Sequence, residues 1–147
     1  MSNNVFVDSS VLIEPLQNRK IEFYAGLVAN TQNIYCINSI VISEYLYKYI
    51  GIQKLGSPIN VRESHKIQEA LEPYFINNFL ENFLFWEPDK TIVSLAPYFM
   101  SKYNLLPNDA IILATCKTHN ITQLASHDKD FIEPCKAEGI ELLSEKT

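Results

Sequence analysis

Val5-Phe6-Val7-Asp8-Ser9-Ser10-Val11-Leu12-Ile13 is the stretch on which the fold turns. Its first three residues are apolar and β-branched or aromatic, which suits a buried strand. Asp8 ends that strand. Val11-Leu12-Ile13 begins a helical segment, with Ser9 or Ser10 available as its N-cap. A carboxylate therefore stands where a buried strand gives way to a helix. In open α/β sheets that edge, the carboxyl ends of the strands, is where ligands bind. Asp is also a favoured N-cap, so Asp8 taken alone is either a helix cap or part of a site.

Outward from this stretch, short strand candidates alternate with helical segments. The further strands are Ile34-Tyr35-Cys36-Ile37, Leu84-Phe85-Trp86, Thr122-Gln123-Leu124-Ala125-Ser126 and Ile140-Glu141-Leu142-Leu143. Apolar residues recur at helical spacing from Lys20 to Asn30 and from Ile40 to Ile50, the latter preceded by Asn38-Ser39 as turn and N-cap. The chain reads as helical from Asn60 to about Asn82, with a break at Pro73. Pro88-Asp89 opens a helix reaching roughly Lys102, with Pro97 an irregularity inside it. Residues 110–116, Ala-Ile-Ile-Leu-Ala-Thr-Cys, are apolar nearly all round, as in a buried helix. This alternation predicts βαβ units, a mostly parallel sheet and one α/β domain over residues 1–147. Tyr74, Phe75, Phe79 and Phe83 form an aromatic stripe, read as core packing or a dimer face in preference to a base-stacking platform.

Composition sets the class. The chain has 147 residues, 47% hydrophobic and 20% charged, as in an ordinary globular domain and unlike a disordered chain. No apolar run approaches the roughly 20 residues that span a bilayer, and Met1-Ser2-Asn3-Asn4 has no basic start of a secretory signal. Cys36, Cys116 and Cys135 are odd in number and lack CxxC spacing, which points to a reducing, cytoplasmic setting. A zinc site of Cys116, His119 and Cys135 is a remote alternative, since no second ligand pair is present. The net charge of −5 weighs mildly against nucleic acid as partner. Carboxylates that hold a cation, however, add negative charge without repelling phosphate.

Such carboxylates are present. Asp8 ends the first strand, Glu44 lies in the helix after the second, Asp109 opens the most apolar helix, and Asp128 and Asp130 follow the fourth strand. An acid beside buried surface is costly unless it is paired or holds a metal. Bases nearby in sequence are few: Lys48 lies one turn beyond Glu44, Lys129 separates Asp128 from Asp130, and none lies within six residues of Asp109. Mg²⁺ and Mn²⁺ prefer oxygen ligands and need no His or Cys. An acidic cluster holding one ion or two serves in-line displacement at phosphorus. That chemistry needs no side-chain nucleophile, and the chain has no GxSxG motif and no evident Cys–His pair.

Residues 7–12 (Val-Asp-Ser-Ser-Val-Leu), 39–46 (Ser-Ile-Val-Ile-Ser-Glu-Tyr-Leu), 105–114 (Leu-Leu-Pro-Asn-Asp-Ala-Ile-Ile-Leu-Ala) and 124–131 (Leu-Ala-Ser-His-Asp-Lys-Asp-Phe) resemble, in order, the four motifs of PIN-domain ribonucleases, most closely the VapC-type toxins of toxin–antitoxin pairs. The resemblance implies a three-layer domain with a five-stranded, mostly parallel sheet flanked by helices. It implies Mg²⁺ or Mn²⁺ held by Asp8, Glu44, Asp109 and Asp128, which would be the catalytic acids, with Asp130 a secondary ligand. Ser9 or Ser10 would support Asp8, and Ser126, where the family usually has Thr, would orient the metal's water. It further implies an RNA substrate, a homodimer, and an antitoxin whose C-terminal segment blocks the site. Residues 51–82 match no motif and read as a family-variable helical segment that shapes substrate access.

Other readings stay open at this point. A response-regulator receiver lacks its acidic pair and its late Lys here, and a haloacid dehalogenase-like phosphatase would need Asp at Ser10. A catalytically silent PIN fold would bind RNA or protein without cutting. Asp128 and Asp130 could be turn residues. His127 is either a solvent-exposed loop residue or a phosphate or proton-transfer group. Lys48, Lys54, Arg62, Lys66 and Lys129 are candidate phosphate contacts. The expected reaction is attack of water on an RNA phosphodiester, leaving a 5′-phosphate and a 3′-hydroxyl.

Overall fold

Strand β1 (Asn3–Val7) is the axis of the molecule. The computed structural model of the chain describes residues 3–71 and 79–145. Val5, Phe6 and Val7 are at most 1% exposed, and burying such side chains stabilises by roughly 1.5–3 kcal/mol each. β2 (Asn33–Ile37) lies on one side of β1 and β4 (Gln123–Ala125) on the other. β3 (Leu84–Phe85) and β5 (Glu141–Leu143) form the edges. Among the described residues the sheet has five strands in the order β3-β2-β1-β4-β5, with every pairing parallel.

The chain builds outward from β1 through β2 to β3, then restarts on the far side with β4 and β5. Right-handed crossovers then place the connecting helices on both faces. The reversal falls between β1 and β4, and at such a switch point the loops diverge and leave a crevice. Register fixes what stands there. Val7 pairs with Ala125, and the Asp8 N–H donates to the Ala125 carbonyl at 2.9 Å. The next residues on both strands, Asp8 and Ser126, thus emerge side by side.

The helices follow the sequence pattern with three corrections. First, in α1 (Ser9–Ile13) the N-cap position is Asp8, and its side chain makes no capping hydrogen bond. Neither serine caps; both lie inside the first turn. Second, the stretch from Asn60 is not one helix as far as Pro73. It forms α4 (Pro58–Glu63) and α5 (Ile67–Ala70), separated at His65 by a left-handed φ of 59°. Pro73, Tyr74 and Phe75 lie outside the described residues. Third, an unforeseen helix, α8 (Ile132–Glu138), leads back to β5; it is preceded by a 3-10 turn over Lys129–Phe131.

The others are where the pattern puts them: α2 (Ile21–Ala29), α3 (Ser39–Gly51) capped by the Asn38 side chain, α6 (Lys90–Tyr103) capped by Asp89, and α7 (Pro107–Thr118). Pro97 lies inside α6, and its exposed face lets solvent reach the carbonyl that loses its N–H partner. α7 buries Ala110, Ile112, Leu113, Ala114, Thr115 and Cys116, and the Thr115 hydroxyl is satisfied by the Ile111 carbonyl at 2.7 Å. Phe79 stacks on Tyr45 at 5.0 Å and lies 5.1 Å from Phe83, so the described part of the aromatic stripe is core packing. Glu138 receives Lys102, Tyr103 and Lys117, joining α6, α7 and α8 away from the carboxyl edge. Among the described residues, no helix is long and apolar enough to cross a membrane.

Candidate active site

Parallel strands all end on one edge, so acids that follow strands or open helices at that edge must converge. Asp8 follows β1, Asp128 and Asp130 follow β4, Asp109 sits in the first turn of α7, and Glu44 lies on α3. Asp109, Asp128 and Asp130 each offer a carboxylate oxygen within 4.8 Å of the others. Asp8 and Glu44 are near enough to act electrostatically on Asp109. None of the five takes part in an ion pair with Lys or Arg among the described residues, where the pairs are Arg19–Glu14, Lys102–Glu138 and Lys117–Glu138.

The electrostatic consequence falls on Asp109. Burial, followed by the carboxylates of Asp128, Asp8, Glu44 and Asp130, pushes its pKa up to about 7. This happens despite its place in the first turn of α7, where the helix dipole favours an anion. Self-repulsion of this size is the condition a bound cation relieves. The donors are all hard carboxylate oxygens, so the residues fit a divalent cation such as Mg²⁺ or Mn²⁺ and give no soft ligand for zinc. Cys36, Cys116 and Cys135 are buried free thiols, burial raises the pKa of each, and His119 packs its ring on Trp86 instead. Among the described residues, Cys116, His119 and Cys135 do not bring their ligand atoms together.

Hydroxyl and amide groups sort the acids. Asp8, 5% exposed, accepts at Oδ2 from Ser10 Oγ and from Ser126 Oγ, each at 2.8 Å. A helix-cap role alone does not account for that arrangement. Ser126 Oγ also accepts from the Asp128 N–H at 3.0 Å, so this fully buried hydroxyl joins the first motif to the last. Ser10 Oγ accepts from the His127 N–H at 2.9 Å. Asp128 Oδ1 accepts from the Asp130 N–H at 2.9 Å; Asp128 is thus a turn residue as well as a member of the cluster.

Glu44 is held at both oxygens, by Ser9 Oγ at 2.8 Å and by Asn108 Nδ2 at 2.7 Å. Lys48 takes no part. Ser9 supports Glu44, whereas Asp8 is supported by Ser10 and Ser126. Asn108 was not singled out in the sequence, where it reads only as a polar residue at the start of a helix. Its partner lies 64 positions away, beyond any local signal. Asn108→Ala is expected to lower activity at the cluster about tenfold with the melting temperature within about 2 °C, because Glu44 loses one of two tethers on an exposed side. Cleavage assays beside calorimetry check this, and Asn108→Gln should recover less than the parent.

His127 is half-buried, not solvent-exposed. Its ring meets Phe23 edge-on at 5.0 Å, and its Nε2 is buried without a hydrogen-bond partner. Burial, then the Lys20 ammonium, lowers its pKa below the usual histidine value. Of the candidate phosphate contacts, Lys129 lies beside the cluster. Lys48 and Arg62 line shallow pockets on α3 and α4 instead.

Comparison with known proteins shows the family. The PIN domain family model matches residues 5–137. Ribonuclease VapC6 of Methanocaldococcus jannaschii is 34% identical, over 97% of this chain and 98% of that protein. Ribonuclease VapC2 of the same organism is 32% identical over 88% and 87%. VapBC2 from Rickettsia felis, solved bound to a DNA fragment from its promoter, superposes with a TM-score of 0.64 at 14% identity, over 97% of this chain and 99% of that one. With the family model spanning residues 5–137 and relatives aligned over most of their length, this chain belongs to the PIN-domain family, beside the VapC ribonucleases.

Proposed function

We propose that this protein is a divalent-cation-dependent endoribonuclease and the toxin of a toxin–antitoxin pair. One observation carries the reading: five carboxylates from four places in the chain gather at a sheet switch point, and among the described residues none of them is ion-paired with Lys or Arg. Asp8, Glu44, Asp109 and Asp128 are the ligands in this reading, with Asp130 a further one. Mg²⁺ or Mn²⁺ is the ion. When bound, such a cation supplies charge stabilisation at phosphorus and lowers the pKa of water.

The chain's own residues do the rest. Ser10 and Ser126 fix the Asp8 carboxylate in one orientation, so its free oxygen Oδ1 is pre-positioned. Ser9 and Asn108 keep Glu44 beside Asp109 against their mutual repulsion. The loop after β4 presents Asp128 and Asp130 together because the Asp130 N–H is tied to Asp128. Pre-organisation of this kind lowers the barrier by removing reorganisation. The products are a 5′-phosphate and a 3′-hydroxyl.

The same reading takes residues 1–147 as one PIN-like domain, with 51–82 its family-variable segment. It also takes the protein to be cytoplasmic, to dimerise and to bind a cognate antitoxin. Val93 and Tyr98 on α6 and Leu106 before α7, 47%, 55% and 74% exposed, are apolar surface in search of a partner. Incubation of the purified protein with a mixed cellular RNA pool in Mg²⁺, Mn²⁺ or EDTA tests the proposal. Cutting that needs the cation is expected. RNA binding without cutting in any condition would move the assignment to the silent binding module.

A further inference from the structure

Beside the acidic cluster lies a cavity of about 210 Å³ that the catalytic reading does not use. Its walls include Lys20, Ser126, His127, Asp128, Lys129 and Glu145. Ser126 and Asp128 belong at once to this cavity and to the acidic site, so the two spaces adjoin. Lys20 comes from the turn before α2, and Lys129 from the loop after β4. Neither takes part in an ion pair among the described residues. Lys20 is held in a left-handed backbone conformation, φ 51°, which a lysine adopts rarely.

We propose that this cavity is a phosphate subsite, and that Lys20, His127 and Lys129 bind there the RNA backbone phosphate next to the bond that is cut. The proposal rests on the ribonuclease reading above. The space is enough for a phosphate, and the lining chemistry assigns it. About 210 Å³ falls below the roughly 300–1,000 Å³ of sites for whole small molecules. The chemistry also fits. Two ammonium groups that take part in no ion pair among the described residues line it, and His127, which lines it too, has a buried Nε2 without a hydrogen-bond partner that can donate to a phosphate oxygen in its Nε2–H tautomer. Asp128 and Glu145 also line the cavity and oppose an anion; the charge of Asp128 is the one a cation in the acidic site would compensate.

The test is RNA binding read against salt. A short fluorescein-labelled RNA of mixed sequence is titrated in Mg²⁺ by anisotropy, with Asp109→Asn as the background so that the RNA stays intact. Lys20→Gln and Lys129→Gln are each expected to weaken binding roughly three- to tenfold, and to reduce the slope of log affinity against log salt by roughly 0.7. Lys129→Arg should restore both. Lys136→Gln, the same charge change on the exposed face of α8, should alter neither. Equal affinity and slope in all variants would overturn the subsite and leave the ribonuclease reading standing, as would an equal loss with Lys136→Gln. Failure of the background protein itself to bind RNA would overturn both.

Discussion

Asp109→Asn is expected to cut RNA at least ~10³-fold more slowly than the parent, a barrier increase of about 4 kcal/mol, and yet to melt higher in EDTA at pH 8. Both effects come from one feature. Asp109 is the acid on which burial and four neighbouring carboxylates act together, with its pKa moved from 3.8 to about 7. In the proposed reading, removing its charge takes away a ligand and a proton-sensitive group. It also removes the repulsion that the metal-free fold sustains. The full shift corresponds to about 4 kcal/mol at about 1.36 kcal/mol per unit. Asp109 is only part-buried, so solvent screening reduces the gain to about 1–2 kcal/mol. For a domain of this length that is roughly 3–6 °C in melting temperature. Single-turnover cleavage beside scanning calorimetry checks both halves. Retained cleavage would remove Asp109 from the machinery. A lower melting point would mean that the acids are not in conflict.

The second large effect is a pH dependence whose sign the cation reverses. In the folded, metal-free protein Asp109 holds its proton up to about pH 7, whereas in the unfolded chain it releases it near pH 3.9. Between those values the folded state binds more protons. Stability therefore falls as pH rises through this window, and the loss is complete above about pH 7. A divalent cation competes with that proton, so its affinity should weaken as pH drops below about 7. At a cation concentration a hundred times its dissociation constant the stabilisation is about 2.7 kcal/mol, and it should be largest at pH 8. The comparison is parent against Asp109→Asn, each melted from pH 5 to 8 in EDTA and in Mn²⁺. Other groups cancel in that difference. Parallel curves for the two proteins would show that Asp109 does not carry the effect.

Much of this arrangement was readable in the chain because buried strands advertise themselves. Val5-Phe6-Val7 and Ile34-Tyr35-Cys36-Ile37 are unbroken apolar runs ended by turn residues, and the acids stand out by interrupting apolar surroundings. Helix α8 was missed because Pro134 lies in its first turn, where proline is tolerated but reads as a breaker. The break between α4 and α5 has no Gly or Pro to mark it; His65 takes the left-handed turn. The division of labour among the polar residues was not legible either. Ser9 reaches Glu44 across 35 positions and Asn108 reaches it across 64, and only the folded register decides which hydroxyl serves which carboxylate. Ser126 carries the same lesson: it bonds Asp8 and the Asp128 backbone, and its tie to Asp8 across the sheet is set by the folded register.

The central claim, that this acidic cluster is a cation site serving phosphodiester cleavage, is met most directly by titrating Mn²⁺ into the metal-free protein. The free ion is followed by electron paramagnetic resonance, and RNA cleavage is measured on the same samples. The account predicts that bound Mn²⁺ and cleavage rise together at pH 8, and that Asp8→Asn and Asp109→Asn each lose both. Cleavage that proceeds without bound ion, or Mn²⁺ bound as tightly by the two variants as by the parent, would contradict it.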